Sequence, residues 1–316
     1  MTVTAAMSAP VDLAQTSRET IQKGSKSFAA AAALFDAQTR VDAEMLYAWC
    51  RHCDDVIDGQ DLGHGMAAPG PEAAKARLEG LYAKTKSALA GEPTSDPDFA
   101  AFQRVALARH LPERYALELI DGFAMDVAAR RYESLDDTLD YCWHVAGVVG
   151  VMMALVMGVK PDDLPTLRRA QDLGLAFQLT NIARDVVEDA ANGRIYLPAQ
   201  WLAEAGVPEA EIAAPEHRAA LFAVTKRLLE TAEPYYASAL AGLPELPFRS
   251  AWAIAAARGV YRQIGVIVLQ RGAAAWDTRA SASSAMKVWL ALNGGFTALA
   301  SRGAKTTPRP ALWSKI

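Results

Sequence analysis

Gln178-Leu179-Thr180-Asn181-Ile182-Ala183-Arg184-Asp185-Val186-Val187-Glu188-Asp189 places two aspartates four positions apart inside sequence that otherwise favours an apolar helix. On a helix, Gln178, Asn181, Asp185 and Asp189 fall on one stripe, while Leu175, Phe177, Leu179, Ile182 and Val186 take the other sides. Far upstream, Asp54-Asp55-Val56-Ile57-Asp58 repeats the pattern. There Tyr47, Arg51, Asp54 and Asp58 share a stripe, with Asp55 at its margin. Like charges at this spacing cost a helix roughly 0.2–0.5 kcal/mol per pair, so stability alone gives no reason for two such patches. A divalent cation removes the repulsion. Oxygen ligands without His or Cys suit Mg²⁺ or Mn²⁺, and Mg²⁺ typically completes its shell with water and substrate phosphate. The other reading, two solvated outer faces, fits poorly with the flanks Met45, Leu46, Ala48, Trp49, Val56 and Ile57.

Outward from these segments, Ala, Leu, Glu, Arg and Met recur at helical period and strand-like alternation is absent, which predicts an all-α fold. Breaks fall at Gly59 to Pro71, Gly91 to Pro97, Gly158 to Pro165 and Gly242 to Pro247, with a longer irregular stretch from Ala190 to Pro215. No linker divides the pieces, so residues 1–316 are expected to form one domain, with 1–14 and 305–316 mobile. The 316 residues are 52% hydrophobic, ample for a buried core.

Net charge is −4, with no basic block, which argues against nucleic acid as a partner. Cys50, Cys53 and Cys142 lack the further ligands of a zinc site and read as small buried hydrophobes in a reducing compartment. Met1 to Pro10 lacks the pattern of a signal peptide. The apolar run Val145 to Val159 is short of the roughly 18–20 residues of a spanning helix and reads as core. Cations complete the picture of an anion site: Arg51 and Arg184 beside the carboxylates, Arg194 after the second patch, and Ser25-Lys26-Ser27 near the chain start. Each of these taken singly is as readily a surface ion pair or a helix cap.

Together the segments resemble the head-to-head prenyl synthases, the family that includes phytoene, dehydrosqualene and squalene synthases. Leu173-Gly174, Gln178, Asn181-Ile182, Arg184-Asp185, Asp189, Arg194, Tyr196 and Pro198 follow one family signature in order and spacing. Tyr141-Cys142 with Val145-Ala146-Gly147 and Gly150 follow another. Gly24-Ser25-Lys26-Ser27-Phe28 and Leu46-Tyr47-Ala48-Trp49-Cys50-Arg51 look most like the bacterial phytoene-forming branch, and Gly24 stands where the thirty-carbon branches usually carry His. The likeness runs from about Gly24 to Lys287.

The resemblance implies an isoprenoid synthase fold: a helical bundle around a central apolar cavity. It implies condensation of two geranylgeranyl diphosphates, through prephytoene diphosphate, to phytoene, without NADPH. Carried over by position, Asp54, Asp58, Asp185 and Asp189, with Asn181, are metal ligands. Ser25, Lys26, Ser27, Arg51, Gln178 and Arg184 hold substrate, with Arg279 and Lys287 as further basic positions. Tyr47, Tyr141 and Tyr261 face the reacting carbons, unless they are packed aromatics with satisfied hydroxyls. Val145, Ala146, Val149 and Gly150 line the prenyl tunnel.

The alternatives are a dehydrosqualene or hydroxysqualene synthase using farnesyl diphosphate, and a non-catalytic relative. The implied setting is cytoplasmic, peripheral at the inner face of the membrane, with contacts to other carotenoid-pathway enzymes. Arg302, Lys305, Arg309, Trp313 and Lys315 in the tail are the candidates for touching anionic lipid, against a plain frayed terminus.

Overall fold

The computed structural model describes residues 12–59, 70–304 and 307–316, and within them every regular element is helical. Helix α1 (Leu13–Gly24) and the short α2 (Lys26–Ala32) lead into α3 (Ala37–Asp58). Asp36 caps α3 by accepting from the amides of Gln38 and Thr39, and Gly59 ends it in the left-handed region at φ 64°, where a residue without Cβ is favoured. The first aspartate patch therefore occupies the last turns of a capped, 22-residue helix.

Helices α4 (Pro71–Leu89), α5 (Pro97–Arg109) and α6 (Glu113–Val127) pack beside α3. Next, α7 (Leu135–Cys142) passes through a π-helical turn, Trp143–Gly147, into α8 (Val148–Val156). The second aspartate patch closes α9 (Leu164–Ala191), whose 28 residues span about 42 Å at 1.5 Å per residue. Helices α8 and α9 press together at glycines: a methyl built on Gly150 would sit on the Ala170 carbonyl, and one on Gly174 would sit on that of Ala146. After α10 (Ala199–Glu204) come α11 (Arg218–Leu240), α12 (Phe248–Arg271) and α13 (Ser284–Ser301). One connected cluster of buried side chains runs from Ile21 to Ala298 through these helices.

Four sequence expectations need correction. The stretch 190–215 is not wholly irregular, because Ala199, Trp201 and Leu202 bury and give α10 a reason to form. The apolar run at 145–159 is core as expected, but it is not a short helix of its own: up to Val156 it continues α7 through the π turn, and the three pieces join into Leu135–Val156. That run and Phe248–Ala274 are each long and apolar enough to cross a membrane, yet both wall the internal cavity described below. At the N-terminus, Leu13 and Ala14 are already helical, capped by Asp12, while residues 1–11 lie outside those described.

The tail is not a frayed end. Residues 307–316 lie along α9, where Arg309 donates to the fully buried Asp172 at 2.7 and 2.8 Å and Arg168 Nε donates to the Ile316 carbonyl at 2.7 Å. Arg309 and Lys315, offered as lipid contacts by the sequence, are spent on Asp172 and Asp140, and Arg302 on the Leu246 carbonyl. Lys305 lies outside the described residues.

Candidate active site

A cavity of about 790 Å³ runs through the bundle. Helix α9 walls its whole length, presenting Thr166, Arg169, Leu173, Phe177, Asn181 and Asp185 in turn down to Asp189. Helix α3 gives Leu46, Tyr47, Arg51 and Asp54 to the same space. The apolar wall comes from α6, from the π turn and α8, and from α12. The π turn matters here, since the extra residue in a helical turn swings side chains out of register, and Val145 and Ala146 within it face the cavity beside Val149 and Gly150.

The two carboxylate patches meet at one end, and arginines hold them. Arg51 reaches Asp54 at 3.1 Å and Asp55 at 2.5 Å. Arg184 grips Asp185 through two bonds of 2.8 and 2.5 Å, and Arg279 adds a third at 3.1 Å. Arg194, just beyond α9, binds Asp58 through both amino groups. Asp189 has no such partner among the described residues. Burial and the neighbouring Asp185 and Glu188 push its carboxyl up to about 7. Asp54 rises to about 6, through desolvation against which Arg51 works; its side chain keeps 40% of its surface accessible, facing the cavity.

The donor set fits a hard cation. Every acidic candidate offers oxygen, and the side-chain oxygen of Asn181 is buried without any hydrogen-bond donor, an orphaned acceptor beside Asp185 and one turn from Gln178, which takes its amide at 3.3 Å. A second acidic group, His52 with Asp96 and Asp98, lines no part of the cavity, and the Lys84 ammonium already occupies it at 2.9 Å from Asp96. The cysteines offer nothing to a metal: Cys53 and Cys142 are buried, and desolvation lifts the Cys50 thiol to about 12.

Aromatic rings cluster at the same end. Tyr261 stacks on Phe177 with centroids 4.1 Å apart, and Phe28 lies between Tyr261 and Tyr47 at 5.4 and 5.9 Å. Opposite, the stacked rings of Tyr141 and Tyr196 both donate to Asp126, at 3.2 and 2.9 Å. Asp126, a cavity-wall carboxylate on α6, was missed in the sequence, where it is a lone acid without a paired neighbour. Its only signal was a carboxylate on an otherwise apolar helix face. Burial raises it to about 6, opposed by Arg194 and by the tyrosine hydroxyls.

Of the sequence candidates, Tyr47, Tyr141, Tyr261, Ser25, Ser27, Arg51, Gln178, Asn181, Arg184 and Arg279 line the cavity, as do Asp54, Asp185 and Asp189. Three do not. Asp58 stands behind the wall on Arg194, Lys26 is exposed at the start of α2, and Lys287 sits half-buried on α13. The helical stripe placed Asp58 in line with Asp54, but it lies in the last turn before Gly59, beyond the cavity's edge.

An all-α bundle with two carboxylate-bearing helices and a ring of cations at one end of an apolar cavity defines an isoprenoid synthase. The chain matches the squalene/phytoene synthase family model over residues 21–286 and belongs to that family. It is 56% identical over 298 residues to the 15-cis-phytoene synthase of Pantoea ananas, covering 94% of this chain and 96% of that one. The corresponding enzyme of Paracoccus sp. is 52% identical over 306 residues, covering 96% and 98%. Among solved structures, a dehydrosqualene synthase in complex with ligand superposes with a TM-score of 0.80 at 26% identity, covering 91% of this chain and 97% of that one.

Proposed function

We infer that the chain is a prenyltransferase of carotenoid biosynthesis that joins two geranylgeranyl diphosphates head to head, through prephytoene diphosphate, to phytoene. The identity of 52–56% to phytoene synthases across nearly the whole chain carries this reading. The farnesyl-using alternative has the support of the fold, through the dehydrosqualene synthase, at half that identity. A non-catalytic relative has no need to keep both carboxylate patches over one cavity.

We propose that residues 1–316 act as a single domain and that Asp54, Asp58, Asp185, Asp189 and Asn181 hold Mg²⁺ or Mn²⁺. When bound, the cations neutralise charge on the departing diphosphate. The protein's part follows from its geometry. With the carboxylates engaged by a cation, Arg51, Arg184 and Arg194 would be able to donate to phosphate oxygens, and Ser25, Ser27 and Gln178 line the same cavity to donate beside them. The rings of Tyr47, Phe28, Tyr261 and Phe177 present negative faces to an allylic cation. The apolar wall of Val145, Ala146, Val149 and Gly150 keeps water from it. No reductant enters this scheme.

The product is a forty-carbon hydrocarbon, so we place the enzyme at the inner face of the membrane, near others of the carotenoid pathway. The surface for that contact is α13. Val288, Trp289, Leu292, Phe296 and Leu299 share its outer face, with Trp289 58% and Phe296 73% exposed. From Thr278 to Ile316 the sequence has no Asp or Glu, so no carboxylate side chain of this stretch repels an anionic bilayer.

Product analysis tests the reading. Purified protein with Mg²⁺, detergent and either geranylgeranyl or farnesyl diphosphate, without NADPH, should give phytoene from the twenty-carbon substrate. A thirty-carbon product made faster would move the chain to the farnesyl-using branch.

A further inference from the structure

The cavity is closed at the end opposite its carboxylates by a device the family resemblance did not suggest. Arg169 and Asp185 stand sixteen positions apart on α9, about 24 Å at the helical rise, and both line the cavity. Around Arg169 the wall is apolar: Met157, Ala239, Gly242, Leu243 and Leu246. The Arg169 stem forms part of this floor. A methyl built on Gly242 would lie 3.1 and 3.2 Å from its Cδ and Cβ, so a side chain there would press the stem aside by a few tenths of an ångström.

A charged side chain at the apolar end of a hydrocarbon site is an unusual choice, because a buried guanidinium needs partners. Arg169 is 5% exposed and no ion pair reaches it among the described residues. Its head donates instead to two backbone carbonyls, that of Ser238 at 2.9 Å and that of Thr307. Thr307 opens the C-terminal segment, and the next residues tie that segment down along the same turns of α9. Arg309 pairs with Asp172, which also accepts from Ser238 at 2.5 Å. Gln171 accepts from the Lys315 amide at 3.1 Å, and Arg168 and Asp140 hold the last two residues.

We propose that residues 307–316 are a strap that fixes the floor of the cavity through Arg169 and thereby sets the longest isoprenoid chain the enzyme accepts. The proposal rests on the cavity being the prenyl site. Arg169 acts as a positioning residue: its stem meets the chain end, and the strap decides where the stem lies. With the strap bound, the floor is rigid and a longer chain meets it. With the strap released, the guanidinium loses the Thr307 carbonyl and swings toward solvent, and the cavity lengthens.

The test uses full-length protein and two diphosphates in competition, geranylgeranyl (twenty carbons) and geranylfarnesyl (twenty-five), with products separated by mass. Asp172→Asn combined with Arg309→Met releases the strap without stranding a buried charge. We expect the ratio of kcat/KM for the longer over the shorter substrate to rise about 10-fold, the scale on which apolar pockets discriminate by size. Arg168→Ala combined with Lys315→Ala loosens only the outer end, leaves every buried group in place, and should shift the ratio the same way by about 3-fold. If the first variant does not fold, the second decides alone. A folded second variant with an unchanged ratio overturns the strap. Absence of forty-carbon product from the unaltered protein would instead overturn the functional reading, so the two failures are distinct.

Discussion

Arg194 binds Asp58 through both amino groups across 136 residues of sequence, and so ties the segment after the second aspartate patch to the last turn of the first. The pair holds the two carboxylate helices in register at the mouth of the cavity without a metal. Removing the guanidinium leaves Asp58, which keeps only 11% of its side-chain surface exposed, without its partner. Arg194→Ala should lower the stability of the metal-free protein by about 2 kcal/mol, the scale of a hydrogen-bonded charge pair. Mg²⁺ should return most of that loss, because a cation among the carboxylates replaces the lost charge. Thermal melts with and without Mg²⁺ measure both effects, and an equal loss in the two conditions would separate Asp58 from the metal site.

Asp185 accepts from Arg184 and Arg279 together. Asp185→Asn keeps the shape and removes the charge. Diphosphate release from geranylgeranyl diphosphate should fall by about 10³-fold, the range seen when a main electrostatic stabiliser is lost, while the helical content stays unchanged. A folded variant with full turnover would refute the assignment of this residue.

The raised carboxyls give a pH dependence with a definite sign. Asp54 and Asp189 titrate near 6 and near 7 in the metal-free fold, above the ordinary value of 3.8, so the stability they lend is complete below about pH 4 and is lost as pH rises through 6 and 7. Metal binding runs the other way, since each ligand must lose its proton first. The rise in melting temperature caused by Mg²⁺ should therefore shrink steadily as pH falls from 8 to 5.5, and the fall should begin near 7. Melts at fixed Mg²⁺ across that range decide. A rise independent of pH would mean that neither carboxyl binds the metal.

Asp126 holds two tyrosine hydroxyls with one carboxylate. An amide in its place accepts from one hydroxyl through its oxygen and turns its NH₂ to the other, which must reverse from donor to acceptor, so Asp126→Asn reorients the hydroxyl of either Tyr141 or Tyr196. The expected result is a fall in kcat of about 10- to 100-fold, with KM changed less, as for a lost group that orients the reacting end. Burial keeps the Tyr141 hydroxyl protonated far above neutral pH, so the pH profile of the variant should lose the limb near 6 that belongs to Asp126. A profile identical in shape to that of the unaltered protein would restrict Asp126 to packing.

How much of this was legible in the sequence differs by residue. Asp54, Asp185 and Asp189 declared themselves because like charges recur at helical spacing in apolar sequence, a local pattern with a local energetic cost. Asp126 and Arg169 did not, since each is a single charge whose partners, Tyr196 and Thr307, arrive from 70 and 138 residues away. The tail was misjudged for the same reason: a basic, proline-containing terminus looks mobile until Asp172, buried in the middle of α9, is seen to need Arg309. The π turn at Trp143–Gly147 escaped because no residue type in Trp-His-Val-Ala-Gly marks a helical turn that takes one extra residue.

Membrane contact, if carried by α13, must depend on two chemistries at once. The outer face of α13 is apolar while the helix inner face is fixed to α12, with the Trp252 indole bonded to the Ala291 carbonyl at 2.7 Å, so the exposed residues can change without disturbing the packing. Trp289→Glu with Phe296→Glu should therefore leave the melting temperature and the turnover in detergent unchanged. Flotation on vesicles of anionic lipid should fall about 10-fold, since two buried aromatics are lost and two negative charges face a negative surface. On purely zwitterionic vesicles the unaltered protein should float less, and the variant should lose less by comparison. Deleting residues 312–316 should not reduce flotation, because those residues are bound to α9 rather than offered to lipid. Equal flotation of the variant and the unaltered protein would remove α13 as the contact, and a change in oligomeric state on substitution would show that this face meets a second copy instead.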